Sequence, residues 1–350
     1  MRQSHAMRVL FVVAMIACSS NKPPAKSRDY CEGQVAMQPA PPLGTQMGSS
    51  KRPVNTFSIV ARDPATGELG VAVQSHWFSV GSLVTWAEPG VGAVATQAFV
   101  EPAYGPRGLT LMRDGVPAPE ALQQLTAVDL QQEVRQIGMI DAEGRVASHT
   151  GAKCIAFASS HVGNQYAVQA NIMANDKVVP AIARAYESTQ GDLTDKLLAA
   201  LDAGQAAGGD LRGCQSAAIL VVSGKRSDTP WKEKKIDLRV EDSADPLREL
   251  RRLVVLARAY DQMNQGDAAL EKKDTKAAAE HYANAARLVP GHAEIAYWAQ
   301  ISLAPQGQYD KAMLSRVLKG DPRWIELTKR LVPAGIIDQA TADRVINEAR

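Results

Sequence analysis

Residues Thr56 to Gln97 read TFSIVARDPATGELGVAVQSHWFSVGSLVTWAEPGVGAVATQ, and the reading of this stretch decides the fold. Thr56 opens a β-branched run (Phe57, Ile59, Val60) that meets Asp63-Pro64-Ala65-Thr66-Gly67 and returns as Leu69, Val71 and Val73, the pattern of a hairpin. A threonine therefore stands at the first position of a strand. If the peptide bond before it is cut, its hydroxyl becomes a nucleophile and its own α-amine the base that takes the proton.

Beyond the hairpin, Val91 to Ala95 reads as a short buried strand, and helices are expected at Gly105 to Met112 and Pro119 to Leu125. A second hairpin pairs Arg135 to Ile140 with Val146 to His149 about Asp141-Ala142-Glu143-Gly144. Tyr166 to Ile172 reads as a strand, Val178 to Thr189 and Leu193 to Ala203 as helices, and Ala217 to Val222 and Lys235 to Val240 as strands. Strands and helices thus come in segregated runs, which suits sheets inside and helices outside, an α+β class, better than a doubly wound parallel sheet.

Pro246 to Tyr260 reads as one amphipathic helix with Leu250, Leu253, Val254 and Ala257 on one face, closing the domain or bridging to the next. Gly266 to Trp324 is Ala-rich and repeats: Lys273 to Ala278 is matched by Gly307 to Ala312, at the tetratricopeptide period of about 34 residues. Two repeats are few for independent stability, so they are expected to lean on the preceding helix or on a partner. They are either a protein-binding groove or a packing appendage.

The chain has 350 residues, room for about two domains with a real core. Its 45% apolar and 22% charged content is that of a globular protein, and a net charge of +2 with scattered Lys and Arg gives no case for nucleic acid. At the N-terminus Arg2 and Arg8 precede the apolar run Val9 to Ala17, the right size for a signal-peptide core over residues 1–17. Met15-Ile16-Ala17-Cys18 is similar to a bacterial lipobox, in which the cysteine is acylated. An exported protein, periplasmic or a membrane-anchored lipoprotein held through Cys18, is therefore expected, with residues 18–54 as a Pro- and Ser-rich flexible linker. With Cys18 lipidated, Cys31, Cys154 and Cys214 remain, an odd number, so at least one is free or pairs between chains.

The segments TFSIVARDPATGELGVAVQS, GVGAVATQA, YGPRGL and GGDLRGCQSAAILVV followed by IDLRVED resemble a bacterial family catalogued as domain of unknown function ten-twenty-eight, placed in the N-terminal-nucleophile (Ntn) hydrolase superfamily. The resemblance covers residues 56 to 262, and the tetratricopeptide-like tail over residues 263–350 resembles longer members. It implies a four-layer αββα sandwich over residues 55–262, with the nucleophile at the start of a central strand. On that pattern Thr56 supplies the attacking Oγ, with an α-amine of ordinary pKa about 7.7–8.0 as base. Ser75, ending the partner strand, is placed to hydrogen-bond that amine or hydroxyl. Gln97 or Thr96, of which alternation admits only one to the site face, and Asn171 are candidate oxyanion donors. The acid and lysine of proteasome-like members have no counterpart: counting lands on Ala72 and Glu88. Superfamily relatives often assemble, so a homo-oligomer is a further implication.

Gly208-Gly209-Asp210-Leu211-Arg212-Gly213 lacks the Lys-Ser or Lys-Thr of a nucleotide P-loop. The glycines stop a helix and Asp210 is expected to pair with Arg212, while Gln215 and Ser216 open the next strand, so these four residues are candidates for the pocket wall. His76, His149, Cys154 and His161 match no common metal spacing, and no metal or other cofactor is expected. Two functions follow from these readings. One is an exported amidohydrolase or peptidase-like enzyme acting on a small amide or peptide-like ligand through Thr56. The other is a non-catalytic envelope lipoprotein whose sandwich binds a ligand and whose repeats bind a protein. Self-cleavage at Thr56 would sever the domain from Cys18, so the two states are exclusive.

Overall fold

The computed structural model describes residues 53–54 and 56–349. The segment expected to be a signal peptide (residues 1–17), Cys18, Cys31 and most of the expected 18–54 linker lie outside the described residues. Val54 does not behave as linker: it is buried and pairs with Ala98, its N–H and C=O both bonded across at 2.7 and 3.0 Å.

The expected hairpin is β1 (Thr56–Arg62) and β2 (Leu69–Ser75), in register from Thr56↔Ser75 to Arg62↔Leu69. Its turn is made as the residue types require. The Asp63 carboxylate accepts from Ala65 N (2.7 Å) and Thr66 N (3.2 Å), and Gly67 takes a positive φ of 76°. The chain continues through α1 (Gly81–Val84), β3 (Thr85–Glu88), β4 (Gly92–Ala98), α2 (Tyr104–Arg113) and α3 (Ala118–Ala127). Then come β5 (Arg135–Asp141), β6 (Val146–Thr150), β7 (Ser159–Gly163), β8 (Tyr166–Ala170), α4 (Val178–Ser188), α5 (Leu193–Ala206), β9 (Ser216–Val222) and β10 (Lys234–Val240). Two antiparallel sheets result, one of six strands in the order β10-β9-β2-β1-β8-β7 and one of four in the order β3-β4-β5-β6.

Strand alternation sorts side chains into three cores. From β1, Phe57, Ile59 and Ala61 pack with Ile182, Leu197 and Leu201 of α4 and α5, while Val60 turns the other way and joins Val71, Val73, Ala93 and Ala95 between the sheets. On the far side Val94, Ile137 and Met139 pack under Leu109, Leu122 and Leu125 of α2 and α3. Helices, six-stranded sheet, four-stranded sheet and helices therefore stack in that order. Each fully buried Leu, Ile or Phe contributes about 1.5–3 kcal/mol. Gly70 shows how close the helical layer lies, because a Cβ there would come within 2.7 Å of Leu197.

The helix expected to stop at Tyr260 runs on as α6 (Pro246–Glu271). Its first half buries Leu247, Leu250 and Val254 against the six-stranded sheet's helical layer; its second half places Ala259, Met263 and Ala269 with Tyr282 and Ile295. One helix thus serves both regions. The helical region continues through α7 (Thr275–Leu288), α8 (Ala293–Leu303), α9 (Lys311–Gly320), α10 (Pro322–Leu331) and α11 (Gln339–Glu348). Asp274 and Asp310 cap α7 and α9 by accepting from Ala277 N and Met313 N. These caps lie 36 residues apart, two more than the spacing read from the sequence.

Candidate active site

Thr56 opens β1, a strand with neighbours on both sides in the six-stranded sheet, and alternation turns its side chain toward the four-stranded sheet together with Ser58 and Val60. Its Oγ1 lies 3.2 Å from Ser75 Oγ, directly across on β2, and 3.1 Å from the Val54 carbonyl. Its own carbonyl accepts from Asn171 N at 3.1 Å and from Gln97 Nε2 at 3.2 Å. Thr56 is fully buried; its hydroxyl meets the Ser75 hydroxyl and the Val54 carbonyl, and the Gln97 carboxamide meets its backbone carbonyl. Of Gln97 and Thr96, it is Gln97 that shares the site face. Thr96 points the other way and bonds the Glu101 carbonyl.

These groups belong to a network that spans the sheets. Gln136 on β5 accepts from Gln97 Nε2 (2.7 Å) and Asn171 Nδ2 (2.9 Å), and donates to Thr150 Oγ1 and to the carbonyls of Ser159 and Ala170. Ser58 Oγ lies 2.7 Å from Gln97 Oε1 and 3.0 Å from Gln169 Oε1. Two buried amide atoms, Gln169 Nε2 and Asn171 Oδ1, have no partner among the described residues. Burying such groups unpaired costs about 1–3 kcal/mol each, so they mark a place where the interior is not optimised for stability alone. Ser58, Gln136 and Gln169 were not singled out from the sequence. Their signal was a polar residue at every second position where apolar strands end.

The remaining candidates fall in two places. Asp210 is buried and pairs with Arg212 as expected, its Oδ2 accepting from Arg212 Nη2 at 2.7 Å and from His76 N at 3.2 Å. Ser216 is a strut: its Oγ accepts from Val80 N at 3.1 Å and donates to the Trp77 carbonyl, fixing the loop after β2. Gln215 turns outward to Asp242. Of the counted positions, Ala72 faces the helical layer and Glu88 binds Arg113 at the surface.

The backbone at the site is under local tension. Ile172, next to Asn171, holds φ at 53°, a region β-branched residues rarely enter. The two described cysteines sit in surroundings that keep them as thiols. Burial pushes the Cys154 thiol up, and burial together with Asp245 and Asp210 does the same to Cys214. Both cysteines are free. His149 bonds the Gln132 carbonyl and His161 lies against Tyr166. Among the described residues no group of three or more His, Cys, Asp or Glu is placed to hold a metal ion.

A cavity of about 610 Å³ lies in the helical region, lined by Val289, Pro290, Met313, Arg316, Val317 and Trp324 among others. It is chiefly apolar.

A family model described as "Family of unknown function (DUF1028)" matches residues 56–250, the two-sheet region that holds this site. The chain belongs to the DUF1028 family. A crystal structure of the DUF1028 protein SPO2555 from Silicibacter pomeroyi is similar at 28% identity and a TM-score of 0.52, over 57% of this chain and 84% of that one. No curated protein matches. The DUF1028 match begins at Thr56, the residue that opens β1.

Proposed function

We propose that the DUF1028 region is an αββα sandwich of the Ntn-hydrolase kind and that the chain, cut before Thr56, acts as an amidohydrolase or peptidase-like enzyme. The observation that carries this reading is the placement of Thr56 at the head of a central strand, its hydroxyl 3.2 Å from Ser75 Oγ and its surroundings supplied by carboxamides. In the cut chain Thr56 Oγ attacks the substrate carbonyl while the α-amine accepts the hydroxyl proton and later passes it to the leaving amine. Ser75 Oγ orients the nucleophile. Asn171 and Gln97 are the nearest amide donors for an oxyanion. Near Thr56, Gln169 Nε2 and Asn171 Oδ1 offer one donor and one acceptor without a partner among the described residues. That pairing suits a neutral amide as substrate.

A second reading has its own observation. In the uncut chain Val54 pairs with Ala98 and accepts from Thr56 Oγ1, which leaves Thr56 fully buried. A chain kept in that state is a non-catalytic envelope lipoprotein, anchored through acylated Cys18. In either case the leader directs export, and the tetratricopeptide-like tail offers its apolar cavity to a protein partner. Among the described residues no helix is long and apolar enough to cross a membrane.

A β-lactone probe, which esterifies an N-terminal threonine, separates the two. The enzyme reading predicts a single acylated residue, Thr56, in the cut protein and none in Thr56→Ala. Absence of labelling in protein verified to begin at Thr56 refutes it.

A further inference from the structure

Strand register shows what lies immediately beyond Thr56. Because Asn171 N donates to the Thr56 carbonyl, the amide groups of Thr56 point toward β8, and Thr56↔Ser75 is a pair without mutual hydrogen bonds. The next amide on the β2 side, His76 N–H, points back into the lane of β1, one residue past Thr56. Among the described residues it meets no strand carbonyl there. It donates to Asp210 Oδ2 at 3.2 Å. On the other flank, β8 is prolonged by residues 171–173, and the chain that pairs with this extension is again the Asp210 segment: Met173 bridges Asp210, and Leu211 N donates to the Ile172 carbonyl. Asp210 and Leu211 therefore stand in line with β1, beyond its first residue Thr56.

We propose that the Asp210–Arg212 pair is the receptor for the Thr56 α-amine after the chain is cut, and so positions the catalytic base. The inference rests on the cleavage set out under Proposed function. A strand advances about 3.3 Å per residue, so a carboxylate one step beyond Thr56 lies within reach of a new terminus there. The Asp210 side chain is fully buried, which keeps its charge unscreened on that side, while Arg212 is 30% exposed and lies outside it. Asp210 alone would hold the amine protonated and useless as a base. Arg212, bound to Asp210 through Nη2 at 2.7 Å and Nε at 3.0 Å, offsets that pull and leaves the amine near its ordinary value of about 7.7–8.0. The other titratable groups on elements round this end include His76, Glu101, Lys153, Cys154, Cys214, Asp245 and the buried Arg135–Asp129 pair. Their contributions stay constant when only Asp210 or Arg212 is changed.

The two members of the pair must then move the amine in opposite directions. Asp210→Asn keeps an acceptor for His76 N but removes the carboxylate charge bound to Arg212, and lowers the amine pKa by about one unit. Arg212→Gln leaves Asp210 uncompensated and raises it by about half a unit or more. The test uses chain beginning at Thr56, taken from natural processing or, if none occurs, from a fusion whose partner is removed to leave Thr56 first. The α-amine is ¹³C-methylated and titrated by NMR in the parent and both variants, with far-ultraviolet circular dichroism to verify folding. Shifts of opposite sign support the proposal. An amine that titrates at one pH in all three, or shifts in the same direction in both variants, overturns it. Failure of the natural chain to be cut counts against the hydrolase reading instead, because the titration is read on the chain made by fusion.

Discussion

Replacing Gln136 by leucine tests whether the inter-sheet network is held as described. Gln136 Oε1 is the partner of the Asn171 Nδ2 amide at 2.9 Å, and Asn171 Oδ1 is already unpaired, so Gln136→Leu strips the Asn171 carboxamide of its partners among the described residues. Gln97 Nε2 keeps the Thr56 carbonyl at 3.2 Å, but the carbonyls of Ser159 and Ala170 lose the Gln136 donor. One orphaned buried amide costs about 1–3 kcal/mol, and with the lost bonds to two carbonyls the sum is about 2–4 kcal/mol. For a region of this size that corresponds to a fall in Tm of roughly 5–15 °C. Differential scanning calorimetry of the full chain measures it, with Gln123→Leu on the exposed face of α3 as a surface control expected to stay within about 0.5 kcal/mol of the parent. A Gln136→Leu protein that melts within about 2 °C of the parent would refute the network as a cooperative unit.

The buried pair Arg135–Asp129, at 2.9 Å with side chains 6% and 0% exposed, carries a second expectation. Arg135→Leu leaves Asp129 charged and buried beside Tyr104, so it costs about 3–5 kcal/mol in calorimetry, and adding Asp129→Asn recovers part of that loss. Alkaline stability supplies a third. Burial, reinforced by Asp129 at Tyr104 and by Glu187 at Tyr166, raises both phenols well above their ordinary value of 10.0, and burial raises Tyr186 as well. A folded pKa above the unfolded one favours the folded state fully below pH 10, and that contribution is lost as pH climbs from there toward the raised values. Urea midpoints should be flat with respect to these groups up to about pH 9.5 and fall above it, with phenolate absorbance at 295 nm appearing together with unfolding. Phenolate forming with the fold intact would contradict the burial.

How much of this was legible in the sequence depends on which physical signal each part carries. The β1–β2 hairpin was readable because Asp63 and Gly67 make the turn that the flanking β-branched residues require. The α1–β3 segment was not, because four residues each are too short to show a period. Strand β7 was missed for a different reason: Ser159–Gly163 is an exposed edge with no apolar face. The α6 helix was cut short at Tyr260 since Asp261 to Gln265 is polar, yet Met263, Gly266 and Ala269 are buried where α7 crosses, with the Tyr282 ring filling the space above Gly266. In the site, Thr56, Ser75, Gln97 and Asn171 lie in one hydrogen-bonded group, the set that the family resemblance implied, with alternation choosing Gln97 over Thr96. Gln136 was invisible because its role is set by partners 39 and 35 residues away on other strands, and the lane-ending position of Asp210 depends on pairing that no local pattern records.

If the proposed cleavage takes place, Thr56 is a chain terminus. Intact mass and N-terminal sequencing of the protein purified from cells expressing the full chain test this most directly. The expected species has Thr56 as its first residue and is absent when Thr56→Ala is expressed in parallel. A mature protein that keeps the residues before Thr56 in both cases would contradict it.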